Sequence, residues 1–274
     1  MKQQTFKPDK TVFLTVCCIY TLFLPIALYG SNIIRGNVLA SDVYNRPDGN
    51  DVVIKGRMIL EKKGRASRTS HTYSYSRDRK DGSVETLVRF VKPTNIKDLG
   101  LLGIDDPSNE SRQWLYLPEL GRVRRISSKR KGGKFVGSDI YYEDMQDRIV
   151  SKDTHEIIGE GKHNGLACTL LKSTPQKKDN STYSERRSCI HEETLIPLTI
   201  DYYRKGKYIK RLEVVEMEKI QNYWTVMEQV IMDVKTGHTT RIIVDAILYD
   251  QQLPDELFTH QSLEDPKIEL KFRP

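Results

Sequence analysis

The sequence of 274 residues has few of the side chains from which metal sites and catalytic nucleophiles are built. It contains 4 cysteines and 6 histidines, with no His-Glu-x-x-His pair and no Cys-x-x-Cys pair. The common zinc sites are therefore not predicted. A Gly-x-Ser-x-Gly nucleophile elbow and a Walker-type phosphate loop are missing as well. We accordingly expect no enzyme, no metal and no cofactor.

The charge balance is only moderately basic. Lys and Arg number 44 against 37 Asp and Glu, which gives a net charge of +7, and 38% of the residues are hydrophobic. This composition is typical of a globular chain and excludes a disordered protein or one with many membrane spans.

The N-terminus has the pattern of a secretory signal peptide. Lys2, Lys7 and Lys10 precede an uncharged, strongly apolar run over residues 11–34, in which small and polar residues follow the apolar core. We predict a signal peptide at residues 1–30, a mature chain that begins near Ser31, and a periplasmic protein. An uncleaved inner-membrane anchor is the alternative, because about 20 apolar residues span a bilayer.

Two cysteines, Cys168 and Cys189, remain in the predicted mature chain. An even number of cysteines in an exported protein favours a disulfide. Equal counting from a turn between Lys178 and Asp179 places the two residues opposite each other on a hairpin. Two small apolar residues on paired strands are the alternative, and a zinc site with His191 is a weaker one because its spacing matches no common pattern.

The sequence pattern of the predicted mature chain indicates a mainly β protein. A short amphipathic helix is predicted over Gly36–Tyr44, and about eleven segments with strand patterns follow, nearly all joined by short turns. No linker divides them, so residues 31–274 are predicted to form a single domain. A curled antiparallel sheet is the expected architecture.

Several strands are apolar on both faces, whereas a sheet with one solvent-exposed face requires apolar side chains on the opposite face only. We therefore predict an apolar cavity that takes an acyl chain, with the helix and the Leu99–Ile104 cluster as its lids and both tryptophans as reporters of binding. The predicted lining residues are Val52, Ile54, Met58, Leu60, Val88, Phe90, Trp114, Tyr116, Trp224, Val226, Val230, Met232 and Ile243.

A basic, glycine-containing loop over residues 128–134, called the basic loop below, follows a strand rich in arginine. Because an exported chain meets little nucleic acid, these cations are predicted to contact an anionic lipid head group or an acidic partner, with a solvated loop as the alternative. The acidic residues Asp139, Glu143, Asp144 and Asp147 are predicted to pair with Arg122 and the arginines after it. The contact candidates are Arg124, Arg125, Lys129, Arg130, Lys131 and Lys134.

Short sequence blocks follow one another in order between about residue 36 and residue 265. They are VYNRPDG at 43–49, RFVKP at 89–93, QWLYLP at 113–118, RVRRI at 122–126, FVGSD at 135–139, YED at 142–144, LIP at 195–197, YW at 223–224, KTGHTT at 235–240 and LPDELF at 253–258. Together they resemble the outer-membrane lipoprotein-sorting protein family, relatives of the LolA and LolB carriers, and the resemblance is strongest over residues 113–144.

This resemblance implies an unclosed antiparallel β-barrel with a helical lid, whose apolar interior takes acyl chains in the periplasm without catalysis. It also implies an association with inner-membrane exporters of the resistance-nodulation-division type. We therefore predict a periplasmic, non-enzymatic carrier of a lipid or an acylated lipoprotein towards the outer membrane, with transient contact to a membrane surface. The alternative is an accessory module that docks on such an exporter.

Overall fold

The structure of the chain is a computed structural model, which describes residues 24–62, 64–108 and 111–274. These residues contain two α-helices and thirteen β-strands, together with several short 3₁₀ turns. The helices are α1 (Leu24–Tyr44) and α2 (His260–Glu264), and the strands are β1 (Asp51–Glu61), β2 (Arg68–Asp78), β3 (Val84–Lys92), β4 (Gly100–Asp105), β5 (Arg112–Leu117), β6 (Arg122–Ile126), β7 (Asp153–His163), β8 (Leu166–Pro175), β9 (Glu185–Ile190), β10 (Pro197–Arg204), β11 (Lys207–Ile220), β12 (Tyr223–Asp233) and β13 (Thr239–Tyr249).

All thirteen strands form one antiparallel sheet in the order β6-β5-β4-β3-β2-β1-β13-β12-β11-β10-β9-β8-β7. The two halves of the chain each form a meander of neighbouring strands, and β1 joins them by pairing with β13. The outermost strands β6 and β7 do not pair with each other, so the sheet is unclosed. The predicted fold class is confirmed.

The predicted count of about eleven strands is corrected to thirteen, because β4 and β7 were not identified. β4 has the sequence GLLGID and is almost wholly buried, so it has no alternating pattern, and it was interpreted as an apolar lid. β7 has the sequence DTHEIIGEGKH, with few apolar residues. A polar composition is typical of an edge strand, which this one is.

The sheet curves strongly enough that distant strands line one cavity. Thr72 of β2 and Phe90 of β3 share a cavity wall with Tyr202 of β10 and Lys210 of β11, although the two pairs of strands are separated by β1, β13 and β12. We call the face that lines this cavity the inner face and the opposite one the outer face. Sheet twist and curling of this kind follow from the handed sterics of L-residues.

The C-terminal segment, residues 251–274, covers the outer face of β1–β5. Leu253, Leu257, Phe258 and Leu263 are almost fully buried in this layer. They form one apolar cluster with outer-face residues of the first meander, Val53, Tyr75, Leu87 and Leu102. One face of these strands is therefore filled by the chain itself.

The chain between β6 and β7, residues 127–152, runs from one edge of the sheet to the other, and we call it the crossover segment. Its Phe135 is 2% exposed and packs into an inner-face cluster with Met58, Leu60, Phe90 and Leu101. The ring centroids of Phe90 and Phe135 are 5.6 Å apart. The crossover segment thus covers the inner face, where the sequence predicted the short helix and the Leu99–Ile104 cluster as lids.

Helix α1 is longer than the predicted Gly36–Tyr44 and packs on the inner face of β7 and β8. Ala40 forms a buried cluster with Leu171 of β8 and Ile190 of β9. At Gly36 an added Cβ would lie 2.6 Å from the carbonyl oxygen of His155, so only glycine allows this close approach. The helix therefore shields the edge strand β7.

The predicted signal peptide falls largely outside the described residues. Residues 1–23 are not described, and α1 begins at Leu24 and continues past the predicted start of the mature chain. Among the described residues, no helix combines the length and apolar character needed to cross a membrane.

Candidate functional site

An inner-face cavity of about 260 Å³ is the first candidate site. Its walls combine apolar and polar side chains from both meanders, and its charged pair, Asp144 and Lys210, lies on the side of the second meander. The apolar wall includes Val88 and Phe90 of β3, and the crossover segment closes it with Phe135 and Met145. The full lining is Met58, Thr72, Ser74, Val88, Phe90, Phe135, Ile140, Asp144, Met145, Tyr202, Lys210, Leu212, Gln229, Ile231 and Ile242.

Its polar end is built around Lys210, which is 2% exposed. The Lys210 ammonium forms an ion pair with Asp144 of the crossover segment and lies 2.5 Å from the Tyr183 hydroxyl. Tyr183 in turn donates a hydrogen bond of 2.6 Å to Asp144. Burial lowers the pKa of Lys210, and the Asp144 carboxylate opposes that shift.

Three tyrosine rings surround the same ammonium. The Lys210 Nζ lies 4.1 Å from the ring centroid of Tyr141, 4.5 Å from that of Tyr202 and 5.0 Å from that of Tyr183. Cation–π contacts of this kind stabilise a desolvated cation. The arrangement therefore holds a buried charge on the inner face of the sheet, and it fixes the crossover segment to the second meander.

The crossover segment is also tied to the middle of the sheet through Asp139, which is fully buried. Its carboxylate accepts hydrogen bonds from Thr240 of β13 at 2.9 Å and from Lys134 at 2.8 Å, and it pairs with His238 at 2.5 Å. Its backbone N–H donates to the Thr240 hydroxyl at 2.8 Å. The segment over the cavity is thus held by the polar contacts of Asp139 and Asp144 and by the packing of Phe135.

A larger cleft of about 1290 Å³ lies at the gap between the two sheet edges, and we call it the seam cleft. One side is formed by β5 and β6 and the basic loop, and the other by the β8–β9 connection and the turn after β10. It is lined by eight cationic side chains and a single acidic one, Asp179. The cations are Lys129, Arg130, Lys131, Arg148, Lys152, Lys178, Arg204 and Lys205.

The predicted cavity residues divide between the two faces of the sheet. Met58, Val88 and Phe90 line the cavity. Leu60 lies in the adjoining inner cluster. Val52 and Ile54 alternate with the outer-face Val53 and so share the inner face with Met58, but they lie outside the cavity wall.

The structure does not bring the other predicted residues to the cavity. Trp114 and Tyr116 pack on the outer face against the C-terminal cluster, and the ring of Trp114 contacts His260 at 4.8 Å. Trp224 and Val226 pack near the cysteine pair. Val230, Met232 and Ile243 alternate with the cavity residues Gln229, Ile231 and Ile242 and so face outwards. Neither tryptophan lies in the cavity wall, which corrects the expectation that both report binding.

The structure places the predicted basic contact residues in three different environments. Lys129, Arg130 and Lys131 line the seam cleft, whereas Arg124 and Arg125 are exposed on the edge strand β6. Lys134 forms ion pairs with Asp139 and Asp233, at 2.8 and 3.2 Å. The expected ion pairs of the acidic cluster with the β6 arginines are not found among the described residues. Asp144 pairs with Lys210 instead, and Asp147 accepts a hydrogen bond from Tyr44.

Cys168 and Cys189 form a disulfide in the structure, with their Cα atoms 5.3 Å apart. The register differs from the one obtained by equal counting, since Cys189 is directly opposite Leu170 and Cys168 lies diagonally. The bond uses both thiols, so the zinc alternative with His191 is wrong. No cluster of metal-binding side chains is found among the residues that the structure describes.

Lys210 and the crossover lid were not predicted from the sequence. The sequence does contain a signal for Lys210. It lies two and four residues before the apolar Leu212 and Val214 of β11, and residues with this spacing on a strand share one face of the sheet. The crossover lid has no comparable signal, since residues 127–152 lack a strand or helix period.

Comparisons with known proteins agree with this architecture. A family model with the description "-like: Uncharacterized protein" matches residues 82–265. No curated protein matches the chain. A DUF1329 family protein from Desulfovibrio piger is 28% identical and superposes with a TM-score of 0.80, with 85% of this chain and 99% of that one covered.

Two further solved structures are similar. A domain assigned as an outer membrane lipoprotein-sorting protein, from Vibrio parahaemolyticus, has 26% identity and a TM-score of 0.80, over 85% of this chain and 100% of that one. A LolA superfamily protein from Nitrosomonas europaea has 12% identity and a TM-score of 0.66, over 83% and 98%, and shares the fold. The chain therefore belongs to the family that this model describes, has the LolA fold, and is similar in sequence and structure to the DUF1329 and lipoprotein-sorting proteins.

Proposed function

We propose that this chain is a non-enzymatic periplasmic carrier that binds the acyl chain of a lipid or an acylated lipoprotein in the inner-face cavity. The observation that carries the proposal is the cavity on the inner face of an unclosed sheet, which has apolar side chains such as Val88 and Phe90 in its wall and is covered by the crossover segment, a segment outside the strand pairing of the sheet. The sorting protein and LolA relatives support an extracytoplasmic carrier role.

The cavity suits a flexible apolar guest. Its wall contains Met58 and Met145 beside Val88 and Phe90, and methionine side chains adapt to guests of varying shape. Each buried CH₂ group contributes about 0.8 kcal/mol and needs no polar partner. At about 260 Å³ the cavity is slightly smaller than typical ligand pockets, so a long chain enters only when the crossover segment shifts outwards.

The direct test is calorimetric titration of delipidated protein with lysophospholipids of increasing chain length. We expect saturable binding whose affinity increases about fourfold per added CH₂ until the cavity is full. Ile242→Trp, which fills the cavity, should weaken binding by at least about tenfold. The matched control is Ile243→Trp, because Ile243 is the next residue along β13 and faces outwards.

Two outcomes would contradict the carrier. The first is the absence of saturable binding by any long-chain lipid, which would favour the docking module instead. The second is an equal loss of binding in the Ile242 and Ile243 variants, which would place the binding site elsewhere. Mass spectrometry of lipids extracted from natively purified protein identifies the cargo independently.

A further inference from the structure

We infer that the seam cleft binds the anionic, phosphate-bearing head group of the lipid whose acyl chain occupies the cavity, an inference that rests on the proposed function. The cleft lies where the sheet fails to close and is lined by side chains from both meanders, the basic loop and the crossover segment. The substrate class is therefore a negatively charged lipid rather than a neutral or zwitterionic one.

The seam cleft has an excess of positive charge that no acidic side chain neutralises. Among the eight cations of the cleft, Arg148 pairs with Asp153, and Lys131 donates to the carbonyl oxygen of Asp179. The other six have no ion pair among the described residues. They are Lys129, Arg130, Lys152, Lys178, Arg204 and Lys205. Cations converging on one concave site create a potential that attracts an anion, and guanidinium and ammonium groups are the usual ligands of phosphate.

Specific contacts hold the two sides of the seam cleft together. The basic loop reaches across the gap between the edges, where Lys131 donates its hydrogen bond of 2.5 Å to Asp179 in the β8–β9 connection. At Gly132 an added Cβ would lie 2.8 Å from the Thr182 side chain, so the basic loop approaches the β8–β9 connection closely there. Glu143 accepts a hydrogen bond of 2.5 Å from the Thr182 backbone N–H. Both sides of the cleft are therefore fixed relative to each other.

The seam cleft and the cavity share a wall. Tyr183 lines the cleft, and its hydroxyl contacts Lys210 at 2.5 Å and Asp144 at 2.6 Å, both of which line the cavity. A head group held in the cleft therefore lies next to the cavity that takes its acyl chain.

The experiment compares two lysophospholipids with the same palmitoyl chain. Delipidated protein is titrated at low salt with lysophosphatidylglycerol, which is anionic, with lysophosphatidylcholine, which is zwitterionic, and with glycerol phosphate, which has no chain. We expect the anionic lipid to bind at least about tenfold more tightly than the zwitterionic one. Added salt should reduce that preference, since charge pairs near the surface are screened. Glycerol phosphate should bind only weakly.

The variant that tests the assignment reverses three cleft charges, Lys129→Glu, Lys178→Glu and Arg204→Glu. We expect it to lose the preference for the anionic lipid while its affinity for lysophosphatidylcholine stays unchanged. The matched control changes net charge equally at three exposed lysines outside the cleft, Lys97→Glu, Lys219→Glu and Lys235→Glu, and should keep the preference.

The outcomes separate the inference from the proposed function. Equal binding of both lipids by the natural protein overturns the head-group site and leaves the carrier intact, whereas binding of neither overturns the carrier. A preference that survives the cleft variant, or is lost equally in the control, shows that the charges act elsewhere. Glycerol phosphate binding as tightly as the anionic lipid makes a free phosphate ester the ligand and overturns the lipid assignment.

Discussion

Arg89 is a fully buried cation that joins the C-terminal segment to the sheet. Its guanidinium pairs with Glu269, also fully buried, at 3.3 Å, and it donates to the carbonyl oxygens of Asp98, Ser262 and Leu263. Burial raises the pKa of Glu269, and Arg89 and Arg273 oppose that shift. Burial removes both charges from water. The ion pair and the hydrogen bonds to the three carbonyl oxygens offset that loss of solvation.

Removal of Arg89 should therefore leave a carboxylate buried with one partner fewer. We expect Arg89→Met to lower the free energy of unfolding by about 3–5 kcal/mol at pH 7, as measured by urea denaturation. Loss of the Arg89 cation raises the folded-state pKa of Glu269 further, so the folded variant binds a proton there more readily than the unfolded chain does. The loss of unfolding free energy should therefore become smaller as the pH falls towards 4.5.

The exposed Arg124 provides the comparison for this variant. Arg124→Met should change the free energy of unfolding by no more than about 0.5 kcal/mol. A deficit of the Arg89 variant that is the same at both pH values would contradict the role assigned to Glu269.

At the scale of elements, α1 protects the edge of the second meander. Its Asn37 side chain accepts a hydrogen bond of 3.2 Å from the backbone N–H of His155 in β7, and Ala40 packs against Leu171. An uncovered edge strand exposes unpaired N–H and C=O groups to other chains. The helix therefore limits edge-to-edge association as well as filling one end of the inner face.

Substitution at the closest point of this contact should detach the helix. We expect Gly36→Val, whose Cβ would overlap the His155 carbonyl, to increase amide hydrogen exchange in residues 30–44 and β7, and to cost about 1–3 kcal/mol of stability. The exposed neighbouring position supplies the control, Arg35→Val, which adds the same side chain away from the strand. Unchanged exchange in the Gly36 variant would show that α1 tolerates a wider separation.

Elements with a regular period were predictable from the sequence. β1, β12 and β13 were located to within one or two residues because apolar and polar side chains alternate or turns bound them clearly. Which face looks inward was not predictable for β12 and β13, because both faces carry Val, Ile or Met and local register shifts interrupt the alternation. The face assignment depends on partners that are distant in sequence.

At the scale of the whole molecule, the crossover segment covers an interior that the sheet alone leaves open. Its place on the inner face was not predictable, since it depends on contacts with Thr240, His238 and Lys210 from the other half of the chain. The cations of the seam cleft likewise come from segments that no local sequence pattern connects. Only the basic loop was visible in the sequence.

The crossover segment should control how fast a bound lipid leaves. We expect Phe135→Ala, which removes the ring packed on Phe90, to lower stability by about 3–5 kcal/mol and to speed lipid release in stopped-flow measurements. The control is Leu87→Ala, a fully buried outer-face residue whose loss should cost about 2–5 kcal/mol and leave the release rate unchanged. Equal acceleration in both variants would attribute release to general destabilisation.

The pairing of β1 with β13 has a consequence for how the chain folds. Every other neighbouring pair of strands within a meander is also adjacent in sequence, whereas this ladder joins Val52 to Tyr249 and Leu60 to Thr240, at opposite ends of the sheet-forming chain. Loop-closure entropy opposes such distant contacts until local structure has formed. We therefore expect the two meanders to form first as separate units. The inner-face cavity then forms only when β1 pairs with β13.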